Sequence, residues 1–201
     1  MVEAVGKTKA GLIAWLLPVL LGVGGSIGAV AALGNGTYDV APFEVKMDVG
    51  FGVSGQTRLA IDAPLLGQPG VARAGTHAGP LRFGGTIVGV DADALATAVI
   101  ETVGSNEEQL DPANPRSVAL FIAQNGKSAA RSFGIKVGLL AAGGSLIGGL
   151  AGALGKPKQT IAGVVAGTAL IGVLGLIAAQ TYDTTAFEGT RFEQTESSGS
   201  P

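Results

Sequence analysis

The sequence predicts an α+β membrane protein, in which three transmembrane helices are combined with a β-rich domain inserted between the first and second of them. Of its 201 residues, 47% are hydrophobic and 14% are charged, whereas soluble domains carry about 25% charged residues. Three long apolar runs contain no charge. Between the first and second runs, residues 43–53 alternate strictly between apolar and other side chains, the pattern of a half-buried strand.

The three apolar runs are predicted to be spans at residues 10–36, 137–155 and 159–181. A spanning helix needs about 20 residues to cross about 30 Å of hydrocarbon. An alternative for the first run is a secretory signal peptide cleaved at Ala29-Val30-Ala31. The run exceeds the usual apolar length of about 7–15 residues, so we expect a retained span.

Short basic flanks predict the orientation. Lys7 and Lys9 precede the first span, and Lys156 and Lys158 separate the second from the third. Because cytoplasmic flanks are enriched in Lys and Arg, both flanks are expected in the cytoplasm of a multi-pass cell-membrane protein. The predicted order is cytoplasmic 1–9, span 10–36, extracytoplasmic 37–136, span 137–155, cytoplasmic turn 156–158, span 159–181 and extracytoplasmic 182–201.

Aromatic residues are placed as interfacial anchors. The two tyrosines occupy similar phrases, Thr37-Tyr38-Asp39 and Thr181-Tyr182-Asp183, each directly after an apolar run. Tyr and Trp concentrate at membrane–water interfaces. We therefore predict that Trp15, Tyr38 and Tyr182 lie at the bilayer surface.

Glycines in the spans predict close helix packing, because small residues at i and i+4 let two helix backbones approach in lipid. Whether the partner is another span or another subunit is left open by the sequence. At membrane depth the spans offer Ser26, Ser145 and Thr168 as polar residues, which does not favour a transporter or channel. The predicted packing residues are Gly24, Gly28, Gly144, Gly148, Gly152, Gly163 and Gly167.

The β-rich domain is predicted over residues 37–115. We expect the strand at 43–53 to form a hairpin with 57–61 through a turn at Ser54-Gly55-Gln56. Residues 62–79 are expected to be loop or short strand, and Gly84-Gly85 to interrupt a strand or turn a second hairpin. Gly34-Asn35-Gly36 is expected to be a turn.

Helices are predicted to close the domain. Asp91 is a candidate N-cap for a helix to about Val103. A polar linker follows at 104–115, and then a connecting helix at 116–136 with a weak point at Asn125-Gly126. The tail at 182–201 is expected to be disordered.

Several phrases together resemble the amino-terminal membrane region of actinobacterial membrane metallophosphoesterases. They are residues 37–44, 63–67, 76–82, 90–95 and 181–187, in order within about 10–192. The resemblance implies one span, an outer β-rich domain and two further spans, followed by an extracytoplasmic phosphoesterase domain that would begin about where this sequence ends.

The sequence departs from that family in its chemistry. Two-metal phosphoesterases require a cluster of metal ligands, but the single histidine here is His77, and Asp-x-His and Gly-Asn-His motifs are absent. We predict no catalytic, cofactor or metal residue, and a structural or surface role for His77. Cysteine is absent, which excludes disulfides and thiolate metal sites.

Two functions are therefore weighed. The first is a non-catalytic membrane accessory or scaffolding subunit that docks onto a larger complex. The alternative is a membrane anchor for a cell-envelope metallophosphoesterase whose catalytic domain is on another chain. A third, that the outer domain binds lipid or cell-wall glycan, is kept open. The expected partners are other membrane subunits, such as those of a respiratory or envelope complex, and the lipid bilayer. The net charge of -2 gives no case for nucleic acid.

Overall fold

The computed structural model describes residues 2–62, 70–103, 110–111, 114–153, 156–187 and 193–194. The chain divides into two compact units, a helical one formed by residues 1–34 and 134–177, and a sheet-containing one formed by residues 35–133 and 178–201. The α+β class is confirmed. In chain order the elements are α1 (Val2–Leu33), β1 (Asn35–Val40), β2 (Phe43–Phe51), β3 (Gly55–Ile61), β4 (Gly70–His77), β5 (Leu81–Val90), α2 (Ala92–Val103), α3 (Pro115–Asn125), α4 (Lys127–Ala153), α5 (Pro157–Gln180), a 3₁₀ helix (Thr184–Phe187) and β6 (Glu193–Gln194).

Three helices are long and apolar enough to cross a membrane: Ala14–Leu33 within α1, all of α4 and all of α5. Each predicted apolar run therefore forms a helix. The first helix ends at Leu33, and the predicted turn at residues 34–36 is wrong, because Asn35 and Gly36 begin β1. Both residues pair with β2, which satisfies their backbone hydrogen bonds.

The sheet has five main strands and a two-residue sixth, in the order β1-β2-β5-β3-β4-β6. The predicted β2–β3 hairpin is wrong, since β5 lies between them, antiparallel to β2 and parallel to β3. The connection crosses the start of β5, where the Gly52 amide donates to the Pro80 carbonyl at 2.7 Å. Alternation assigns side chains to sheet faces, but it does not select the neighbouring strand.

Two further strand predictions need correction. Region 62–79 contains the eight-residue strand β4, and β5 runs without interruption through Gly84-Gly85. Neither glycine turns the chain. Instead, the Asp48 carboxylate of β2 lies over Gly84, in the space that a Cβ would occupy. The phrase at 63–67 lies outside the described residues.

One face of the sheet packs against helices to form the core. The strands contribute Val40, Phe43, Val45, Ile61 and Ile87, which pack with Leu110, Val118 and Ala129. Phe43 meets Phe121 of α3 edge to face, with ring centroids 5.8 Å apart. The predicted polar linker 104–115 is therefore corrected at Leu110, which is 2% exposed; residues 104–109 and 112–113 lie outside the described residues.

The helix boundaries around the core follow local sequence signals. Asp91 Oδ1 accepts hydrogen bonds from the amides of Asp93 and Ala94, each at 3.0 Å, which confirms the predicted N-cap of α2. The weak point at Asn125-Gly126 is also confirmed, because α3 ends at Asn125 and α4 begins at Lys127.

The predicted disordered tail is wrong at two places. Residues Thr184–Phe187 form the 3₁₀ helix beside β4, and Glu193–Gln194 pair with the edge of β4. Paired backbone groups at a sheet edge are a source of order that composition does not report. Residues 188–192 and 195–201 lie outside the described residues.

Candidate interaction surfaces

The helical unit is held together where glycines meet the backbone of another helix. A Cβ on Gly25 of α1 would overlap the carbonyl of Gly144 of α4, and a Cβ on Gly144 would overlap the carbonyl of Gly25. A Cβ on Gly152 would lie 2.6 Å from the Pro18 Cα. These distances require glycine at the contact. The other predicted packing glycines placed against a neighbouring helix backbone are Gly148, Gly163 and Gly167.

Small polar side chains bridge the same contacts. The Ser26 hydroxyl lies 2.9 Å from the Ala141 carbonyl oxygen and 2.8 Å from Ser145 Oγ. Ser145 also donates to the Ala141 carbonyl, and its oxygen lies 3.3 Å from Thr168 Oγ1. Ser26 and Ser145 are fully buried. The three polar groups of the predicted spans therefore link α1, α4 and α5 to one another.

The face of α1 used for these contacts was missed by sequence reasoning. It carries Gly22 and Gly25, whose Cβ positions would overlap α5 and α4 respectively. At Gly24 and Gly28, by contrast, no neighbouring atom of the described residues lies within 4 Å of a Cβ position. The packing role predicted for Gly24 and Gly28 thus has no partner in the described bundle and stays a prediction.

At one end of the sheet, buried polar side chains form a chain of hydrogen bonds around His77. The Leu81 carbonyl can only accept, so His77 Nε2, 3.0 Å away, carries the proton. In the neutral ring Nδ1 then accepts from the Thr76 hydroxyl at 2.8 Å, and Thr76 in turn lies 2.6 Å from the Thr57 hydroxyl. His77 is 9% exposed. These contacts give His77 a role in ordering the sheet end.

The second Tyr-Asp phrase is attached to this end of the sheet. The Asp183 amide donates to the Thr76 carbonyl at 2.6 Å, and the Ala78 amide donates to Thr181 Oγ1 at 2.8 Å. The Tyr182 ring stacks on His77, with centroids 6.3 Å apart and planes 19° apart. Residues after α5 therefore belong structurally to the sheet unit.

Asp183 closes the 3₁₀ turn. Its Oδ1 accepts from the Thr185 hydroxyl at 2.7 Å and from the Thr185 amide at 2.9 Å. The Thr185 hydroxyl, and after it the Thr185 amide, hold the pKa of the Asp183 carboxyl below its usual value, because both bonds favour the ionised form.

The three predicted interfacial aromatics have different surroundings. Trp15 is 50% exposed and Tyr182 is 43% exposed, and their interfacial role stays a prediction. Tyr38 is half-buried, and its ring meets Phe133 edge to face at 5.9 Å. The two Tyr-Asp phrases also differ in conformation, because Tyr38 lies within β1 whereas Tyr182 follows the end of α5.

The sheet face opposite the core is polar and carries exposed arginines. Arg58 of β3 and Arg73 of β4 lie directly opposite one another across the strand pair. Both side chains are exposed. Arg58 pairs with Gly84 of β5, and Arg82, two residues before Gly84 in that strand, is also exposed. Like charges directly opposite one another are unfavourable in a sheet. An anionic group would stabilise the like charges of this arginine face, and the Asp48 carboxylate of β2, which lies over Gly84, is one such group on the same face.

Within the part of the chain that the structure describes, no group of three or more His, Cys, Asp or Glu side chains is placed to hold a metal ion. Comparisons with protein-family models, with curated proteins and with solved structures found no match to this chain.

Proposed function

We propose that this chain is a non-catalytic integral membrane accessory or scaffolding subunit that docks onto a larger membrane complex. The observation that carries the proposal is the open Gly24–Gly28 step of α1. Leu20, four residues before Gly24, is 64% exposed on the same helix face. Since steps of this kind let helices approach closely in lipid, the open face suits a helix from another subunit.

The proposal includes an orientation. The amino terminus and the turn at 156–158 lie in the cytoplasm, and residues 37–136 with the carboxyl-terminal segment lie outside the cell membrane. The lysine flanks support this arrangement. The sheet unit then offers its arginine face to an acidic region of the partner. Acidic side chains there would offset the repulsion between Arg58 and Arg73.

Affinity purification from native membranes in a mild detergent tests the docking proposal. The wild-type chain is expected in an assembly larger than its own detergent-bound mass, with membrane-protein partners identified alongside it. Gly24→Leu/Gly28→Leu should reduce partner recovery about tenfold, since loss of close packing of about 1.4 kcal/mol corresponds to that factor. A clean wild-type monomer in native gels would contradict the proposal.

Gly172→Leu is the matched control. Gly172 lies in α5, and no described atom outside its own local backbone is within 4 Å of its Cβ position. It has no glycine four residues away in either direction. The control should retain partner recovery, whereas an equal loss in both variants would indicate a general effect of bulk on insertion.

A second candidate function is a membrane anchor for a metallophosphoesterase domain on another chain. The attachment of Thr181 and Asp183 to β4 favours it, because this closing phrase is one of those that resemble the family. A catalytic domain bound there would be held on the sheet. Co-purification of a chain bearing clustered His and Asp metal motifs, with phosphoesterase activity in the eluate, would select this function over the first.

A further inference from the structure

Val53 is 98% exposed at the tip of the connection between β2 and β3. A single exposed apolar side chain has no meaning by itself. The position of Val53 in the sheet unit is what matters. At this end of the sheet lie the residues that directly follow two helices, each apolar enough to span a membrane.

Strand register shows which end this is. Asn35, two residues after the end of α1, pairs with Asp48, and β2 continues from there to Phe51. The Thr181 hydroxyl, directly after α5, accepts from the amide of Ala78 at the same end. Both helix exits and the Val53 tip therefore belong to one end of the sheet.

The tip projects along β2 beyond the residue that pairs with Asn35. Phe51 lies three residues beyond Asp48, about 10 Å further along the strand than the level of Asn35. Asn35 follows closely on the last apolar residues of α1. The headgroup layer on each side of a bilayer is about 5–8 Å deep, so a projection of this length is comparable with the depth of that layer.

The neighbours of Val53 suit a lipid surface. The Arg82 guanidinium lies against Gly52, directly beside the tip, where it can meet lipid phosphate. Tyr182, at the same sheet end, is 43% exposed. An apolar tip flanked by a guanidinium and a phenol has the composition of an interfacial anchor.

We propose that the Gly52–Val53–Ser54 tip inserts into the lipid headgroup region and holds the sheet unit on the bilayer surface. This inference rests on the proposed spanning role of α1 and α5. The occupant is the lipid surface itself, and contact with a protein partner at Val53 is an alternative outcome of the test.

The chain contains no cysteine, so single-cysteine variants can carry a fluorophore at one defined position. We would reconstitute the full chain in phosphatidylcholine–phosphatidylglycerol vesicles containing lipids with a shallow or a deep spin-label quencher. The variants are Val53→Cys, Ala92→Cys at the exposed opposite end of the sheet, and Ala169→Cys on the exposed face of α5. Val53 and Ala92 are exposed, so these changes leave the core intact.

Shallow quenchers should reduce the emission at position 53 at least threefold more than at position 92, and deep quenchers should act most strongly at position 169. Equal quenching at 53 and 92, with 169 quenched, would overturn the inference and leave the spanning proposal standing. Protection of position 53 that appears only when partner subunits are present would overturn it in favour of a protein contact. Absence of quenching at 169 would overturn the spanning proposal and this inference together.

Discussion

Replacing Gly144 by alanine tests the glycine-mediated helix contact. The added methyl would lie 2.7 Å from Ala29 Cβ, whereas carbon atoms pack at about 3.5–4.0 Å. It would also overlap the carbonyl of Gly25. The helices must therefore separate by about 1 Å, at a cost of about 1–3 kcal/mol for overpacking. The separation also weakens the bond between Ser26 and Ser145, a contact worth about 0.6 kcal/mol.

Gly143→Ala is the matched control, because no described atom beyond its own local backbone lies within 4 Å of the Cβ position there. Both substitutions gain the same helix propensity, up to about 1 kcal/mol, which cancels in the comparison. Gly144→Ala should be less stable than Gly143→Ala by about 1.6–3.6 kcal/mol. Reversible unfolding in mixed detergent micelles, followed by circular dichroism, measures the difference. Equal stabilities of the two variants would refute the close-packing argument.

Three further outcomes are expected in the sheet unit. In thermal unfolding, Asp91→Ala should lower the free energy of unfolding by about 1 kcal/mol through loss of the α2 N-cap. The control Asp93→Ala should change that free energy by less than about 0.5 kcal/mol. Equal effects of the two substitutions would contradict the capping assignment. Ile87→Ala should cost about 2–5 kcal/mol, since its side chain is fully buried, and a loss below about 1 kcal/mol would mean the core is wrongly placed. By NMR titration the Asp183 carboxyl should have a pKa below the unfolded value of about 3.9, and Thr185→Ala should raise that pKa. Because the folded-state pKa is the lower one, the turn's contribution to stability is present above the unfolded pKa and is lost as pH falls through the folded pKa. A carboxyl that titrates at the unfolded value would refute this expectation.

Local signals in the sequence were sufficient for the helices and for one strand. The apolar runs without charge predicted three helices, and Asp91 predicted the start of α2. The alternation beginning at Phe43 predicted β2, since a period of two sets one side chain in the core and the next outside. In each case the information lies within a few neighbouring residues.

Strand pairing could not be predicted in the same way. The short segment between β2 and β3 favoured a hairpin. Instead β5, which begins at Leu81, 20 residues after the end of β3, lies between these two strands. That arrangement depends on long-range contacts such as the Asp48 carboxylate over Gly84. A glycine pair has the same local appearance whether it turns the chain or makes room for a neighbouring strand.

Within the helical unit, the glycine contacts use a face of α1 that the sequence prediction did not name. Gly24 and Gly28 form the i, i+4 step, whereas Gly22 and Gly25, three residues apart, meet α5 and α4. Both spacings place small residues on one side of a helix. The nearby Ser26 was the available signal, because Ser side chains in spans can hydrogen-bond to a neighbouring helix.

Thiol labelling of intact cells tests the membrane topology most directly. Gln56→Cys places a single thiol at an exposed position of the sheet, and Lys158→Cys places one at the exposed start of α5. With a membrane-impermeant reagent, position 56 should be labelled in intact cells and position 158 only after permeabilisation. Labelling at 158 with protection at 56 would contradict an outward-facing sheet unit and the docking function built on it.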